Sequence, residues 1–99
     1  MTTIYVAIVN GDATYTDENY RSAKSYVWAM NGGGNCASIV ATQHASQCPD
    51  CREWIPDMAY LSPSVLPHPS LHADDCTHRA DTDAARARRL SDLAGEFIF

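Results

Sequence analysis

The pattern of the chain changes abruptly at position 44, and that change constrains its fold more than any other feature. Residues 44–78 carry all four histidines, three of the four cysteines and all five prolines (Pro49, Pro56, Pro63, Pro67 and Pro69). Proline lacks a backbone donor, so such a stretch forms few regular hydrogen bonds of its own. A segment of this length inside a compact domain must then be held by something else. At 99 residues, read as one domain, the chain is near the lower end of what a single apolar core stabilises comfortably.

The segment itself contains a candidate staple. In CPDCREW, residues 48–54, Cys48 and Cys51 stand two residues apart and a tryptophan follows. A short C-x2-C turn suits zinc, because successive N–H groups of the knuckle can point at the two thiolates. A second pair must arrive from elsewhere, and His72 with Cys76 provides one, expected on one face of a helical turn. The full spacing, C-x2-C-x20-H-x3-C, is close to that of structural zinc modules. The expected ligands of a structural Zn2+ are therefore Cys48, Cys51, His72 and Cys76. His78 is the first substitute, through Cys76-x-His78 on a strand, and His44, just ahead of the knuckle, is the second.

Other readings of these residues carry less. A thioredoxin-type redox pair needs a helix starting at the cysteines, and none is evident. Thiols of no shared function, or a disulfide, leave the second ligand pair unexplained. A catalytic zinc needs an open coordination position and an acid–base neighbour. The deaminase signature fails, since Pro49 follows Cys48 and no His-x-Glu lies upstream. Cys36 is expected to fill a small apolar space at the start of its strand.

Residues 1–43 read as a β-β-α-β unit. Ile4, Val6 and Ile8 alternate with Tyr5, Ala7 and Val9, apolar on both faces, as in a central strand. Asn10-Gly11 is a hairpin signal, with a return strand at residues 13–15. Thr16 reads as the N-cap of a helix over about residues 17–30, with Tyr20, Ala23, Val27 and Met30 as its apolar stripe and Trp28 beside it. Asn31-Gly32 ends it, and the glycines that follow lie after a helix C-terminus, the wrong end for a phosphate cradle. ASIVAT, residues 37–42, is the third strand. Within 44–78, Trp54, Ile55, Met58, Tyr60 and Leu61 can dock a strand or a helical turn on the core. From Asp81 a second helix is expected to run to Gly95, and the tail at 96–99 to close as a strand or an apolar plug. The expected fold is thus α+β: a β-β-α-β unit (1–43), a zinc-stapled irregular segment (44–78), and a C-terminal helix with its tail (79–99).

Net charge is −5, and residues 50–78 hold most of it, with five acids against Arg52. An acidic chain repels phosphate backbones at long range, which counts against nucleic acid as the main partner. The basic cluster, Arg86, Arg88 and Arg89 with Arg79 nearby, reads first as a solvated helix face paired with Asp83 and Asp92. A nucleic-acid-binding zinc protein using these arginines is the alternative. No apolar run is long enough to span a membrane. MTTIYVAIVN lacks the basic and cleavage regions of a signal peptide, so a cytoplasmic location is expected.

In layout, MTTIYVAIVNGD and CPDCREW resemble small accessory proteins encoded by phages of high-GC actinobacteria. That resemblance implies a role in host takeover or anti-defence, exerted by binding a host protein in the host cytoplasm. The sequence thus points to a non-enzymatic protein-binding module with a structural zinc. A nucleic-acid-binding zinc protein and a small zinc-dependent enzyme are the rivals.

Overall fold

The computed structural model describes residues 2–95. Strand β1 (Ile4–Val9) turns through Asn10 and Gly11 into β2 (Asp12–Asp17), and helix α1 (Tyr20–Gly32) leads back to β3 (Ala37–Thr42). Both turn residues have positive φ, 53° and 87°, as a two-residue hairpin of this twist demands. β4 (Ala45–Gln47) and β5 (Trp54–Pro56) form a separate antiparallel ribbon, and β6 (Leu66–Pro67) adds to the main sheet. Helix α2 (Arg79–Gly95) closes the described chain. The expected α+β class and the β-β-α-β opening are both present. The tail expected to close the fold, residues 96–99, lies outside the described residues.

The main sheet has the order β3-β1-β2-β6, so β1 is central, as its two apolar faces require. β2 bulges at Thr14, because Ala7 faces Tyr15 while Ile8 faces Ala13. One sheet face meets α1: Tyr5 packs edge-on against Tyr20, and Tyr15 stacks on Tyr26 at 4.5 Å. The other face builds the main core, where Val6, Ile8 and Ala13 meet Leu61, Val65 and Leu71, with Ile55 and Met58 packed against them. Residues 44–78 therefore form the second layer of the protein, although little of that layer is regular.

Helix α1 starts later than the sequence suggests. Thr16 is not its N-cap; it sits in β2 opposite Val6, and its hydroxyl donates to the Trp54 carbonyl. The cap is Asn19, whose Oδ1 accepts from the Arg21 and Ser22 N–H groups. The return strand is correspondingly longer than the three residues expected. At the far end the Asn31 side chain exchanges two hydrogen bonds with the Ala37 backbone, joining the end of α1 to β3. Asn10 donates its backbone N–H to the Cys36 carbonyl and accepts the Cys36 N–H on Oδ1, fastening the glycine loop to the hairpin. Cys36 is exposed, not an apolar filler.

α2 packs on β6 and on a 3-10 turn, Pro69–Leu71. Its arginines do not pair along the helix with Asp83 and Asp92. Arg86 reaches Asp12 in β2 at 2.7 Å and the Pro67 carbonyl, Arg89 donates to the Met58 and Ser62 carbonyls, and Arg79 bonds Asp74 and the Pro69 carbonyl. The Met58, Ser62 and Pro69 carbonyls already accept backbone N–H groups within their turns, so the arginines add a second donor there and tie the helix to the proline-rich segment. Arg88 alone of the four is exposed. No helix among the described residues is long and apolar enough to cross a membrane.

Candidate metal centre

The knuckle is the end of the β4–β5 ribbon. Gln47 pairs with Trp54, the Cys48 N–H donates to the Glu53 carbonyl, and the Arg52 N–H returns to the Cys48 carbonyl at 2.8 Å. Closing so tight a turn forces Arg52 to a left-handed φ of 61°, a conformation that suits glycine better. The turn leaves Cys48 buried and Cys51 half-buried on one side of the ribbon.

The second pair arrives differently from the helical turn that its i,i+4 spacing implies. His72 is extended (φ −98°, ψ 157°) and follows the 3-10 turn as its C-cap. A turn through Asp74 and Asp75 then brings Cys76 back, with its N–H donating to the Ala73 carbonyl at 2.9 Å. Both His72 and Cys76 are buried.

Together Cys48, Cys51, His72 and Cys76 offer three sulfurs and one imidazole nitrogen, all within 4.8 Å of one another. Sγ of Cys48 lies 3.6 Å from Sγ of Cys76. Nδ1 of His72 lies 3.5 Å from Sγ of Cys51 and 3.6 Å from Sγ of Cys76. A tetrahedral ion with sulfurs at about 2.3 Å and nitrogen at about 2.0 Å sets sulfurs about 3.8 Å apart, and sulfur and nitrogen about 3.5 Å apart. The three short separations fit the edges of that tetrahedron. The cluster can hold a metal ion.

Its electrostatics favour a cation. Burial pushes the Cys48 thiol up, but the N–H groups of Cys51 and Asp50 and the neighbouring thiols outweigh it and bring the pKa down to about 7. Burial opposes ionisation of Cys51 as well, yet the N–H groups of Ala73 and Glu53 and the His72 ring lower it. Cys76 goes the other way, up to about 11, through burial and the competing Cys48 and Cys51 thiols. One thiol is poised as a thiolate while another keeps its proton, and a divalent cation would displace that proton.

The two substitutes stay outside the cluster. His44 stacks on Tyr60 with ring centroids 3.6 Å apart. His78 is clamped between two carboxylates, Nε2 to Asp50 at 3.1 Å and Nδ1 to Asp81 at 3.0 Å. The hydrogen bond to Asp81 raises the imidazole pKa above its usual range, against a smaller effect of burial. Asp50 also accepts from the Thr77 hydroxyl at 2.8 Å, so the knuckle is tied directly to the start of α2. Sequence reasoning missed this tie, because no spacing rule connects Asp50 with residues 77 and 78. A groove of about 310 Å³, lined chiefly by Pro49, Ile55, Met58, Leu71 and Ala85, runs beside the centre.

Compared with protein-family models, curated proteins and solved structures, the chain matches none.

Proposed function

We propose that this chain is a non-enzymatic protein-binding module whose second layer is folded around a structural zinc ion. The observation that carries the reading is the ligand set, three cysteines and one histidine that fill a tetrahedron from the protein alone. Thiolate-rich, four-protein-ligand sites are structural ones, whereas catalytic zinc keeps a position for water or substrate. Three sulfurs with one imidazole also select zinc over the hard cations, which take oxygen ligands.

Metal binding here acts as folding free energy. The knuckle closes a short ribbon, and the His72–Cys76 turn lies far along the chain in an irregular stretch. The ion would join them at four ligands, beside the contacts of Asp50 with Thr77 and His78. A segment held in this way displays side chains around an apolar groove without needing chemistry of its own. We place the protein among phage accessory proteins acting on a host protein in the host cytoplasm, following the resemblance of its layout. The nucleic-acid reading is the weaker one, since Arg79, Arg86 and Arg89 are occupied with internal carbonyls and carboxylates.

The test uses the full chain, tagged and zinc-loaded, to capture protein from an actinobacterial lysate. The candidate partner is then purified and titrated calorimetrically. A saturable complex that chelation abolishes is the expected result. Zinc-dependent turnover of a substrate, or binding only to nucleic acid, would overturn the reading.

A further inference from the structure

Away from the metal centre, the described part of the sheet ends in an edge that is largely unpaired. Among the described residues β3 pairs with β1 alone, over six residues in unbroken register. Its sequence, ASIVAT, contains no charge, proline or glycine. Natural edges are blunted by lysine, proline, bulges or a covering element, because a free row of N–H and C=O groups templates another strand. The opposite edge obeys that rule: β6 is two residues long, contains Pro67 and packs against α2. Among the described residues β3 is protected only at Ala37, whose outward N–H and C=O are taken by the Asn31 side chain, and the outward groups of Ile39 and Ala41 have no such partner.

Apolar side chains flank this edge on both faces. Val40, directed away from α1, is 39% exposed. On the other face Asn31 touches Ala37, which identifies the flank of α1 that overhangs β3. Lys24 and Trp28 share that flank with Asn31 at helical spacing, whereas Tyr26 on the other flank stacks on Tyr15 of β2. Trp28 is 80% exposed, an extreme value for the largest apolar side chain.

We propose that β3 pairs antiparallel with β3 of a second copy of this chain, joining two four-stranded sheets into one across a two-fold axis. A two-fold axis normal to the sheet makes a strand antiparallel to its own copy, and an uncharged strand meets no like charge when paired with itself. α1 runs antiparallel to β3: Tyr20 packs on Tyr5, whose strand partner is Ala41, while Asn31 reaches Ala37. The middle of β3 is therefore level with residues 25–26, between Lys24 and Trp28. The axis then sets Lys24 of each copy opposite Trp28 of the other, a cation facing an aromatic ring. Residues 20–42 contain two bases, Arg21 and Lys24, and no acid, so all of the chain's acidic side chains lie away from the seam. This inference is independent of zinc and of any host partner.

Sedimentation velocity of the full zinc-loaded chain, from micromolar to sub-millimolar concentration, tests it. The expected result is a concentration-dependent shift from the 10.9 kDa chain to twice that mass. Val40→Lys and Trp28→Ala should each weaken the dimer at least about tenfold while zinc content and far-UV circular dichroism stay unchanged. If Val40→Lys fails to fold, Ser38→Lys, exposed on the same face, probes the same contact. A wild type that remains monomeric throughout would overturn the proposal, even if it binds another protein's strand. A dimer indifferent to these variants would overturn it equally, by placing the contact elsewhere.

Discussion

The sulfurs of Cys48 and Cys76 lie 3.6 Å apart although 28 positions separate them in the chain. Between them the chain runs through β5, two 3-10 turns and β6, and its apolar side chains Leu61, Val65 and Leu71 fill the core against β1 and β2. Closing this loop is therefore the same event as completing the second layer. A ligand that draws the two ends together offsets the loop-closure entropy of the whole intervening segment.

Removing one end of that closure should be far more damaging than removing an equivalent thiol elsewhere. Cys48 is buried in the cluster and Cys36 is exposed. Cys48→Ser is expected to cost about 3 kcal/mol or more, and Cys36→Ser less than about 0.5 kcal/mol. Thermal melts of the two variants measure the difference, and equal shifts would remove Cys48 from the ligand set.

The arginines of α2 divide in the same manner. Arg86 and Asp12 form a half-buried ion pair at 2.7 Å that ties the helix to β2, while Arg88 is exposed. Arg86→Met keeps the aliphatic stem but leaves Asp12 without its cation, which should cost about 1–3 kcal/mol. Arg88→Ala should stay within about 0.5 kcal/mol of wild type. Chemical denaturation of each variant checks the pair; a silent Arg86→Met would show that α2 is held by other contacts.

Arg52 offers a change in the stabilising direction. Its left-handed φ of 61° is unfavourable for any residue with a Cβ. Arg52→Gly relieves that cost against a smaller loss to the flexibility of the unfolded chain, a gain of up to about 1 kcal/mol. Arg52→Val should destabilise, because a β-branched residue tolerates this region least. A glycine variant less stable than wild type would mean that the Arg52 side chain contributes more than its backbone costs.

Tyr15 makes the alkaline limb of stability predictable. Its hydroxyl donates to Asp17 Oδ2 at 2.6 Å, and that bond, followed by burial and the Asp17 charge, raises the phenol from 10.0 to about 12. The native phenol holds its proton more tightly than the unfolded one. The associated stability is therefore complete below the ordinary value of 10.0 and is lost as pH climbs towards about 12. Ultraviolet titration should show a phase near that upper value, and Tyr15→Phe should remove it; an unchanged curve would deny the bond.

Features governed by local rules were legible in the sequence. β1, the Asn10-Gly11 turn and β3 follow from alternation and turn chemistry, and the C-x2-C and H-x3-C spacings mark the residues that the fold gathers. Misread features depend on distant partners. Thr16 has the chemistry of an N-cap, but pairing with Val6 and a bond to Trp54 keep it in β2, and the cap passes to Asn19. Arg86 has Asp83 near it in sequence, yet pairs with Asp12, 74 positions away. Likewise β6 is invisible to pattern reading, because two residues containing a proline form a strand only where an existing edge accepts them.

Metal content tests the central claim most directly. The full chain, purified without chelator, should carry one zinc per chain by elemental analysis, confirmed by the intact mass under native conditions, and should lose its cooperative thermal transition when the ion is removed. Well under one equivalent of zinc, or a melt indifferent to its removal, would contradict a fold stapled at Cys48, Cys51, His72 and Cys76.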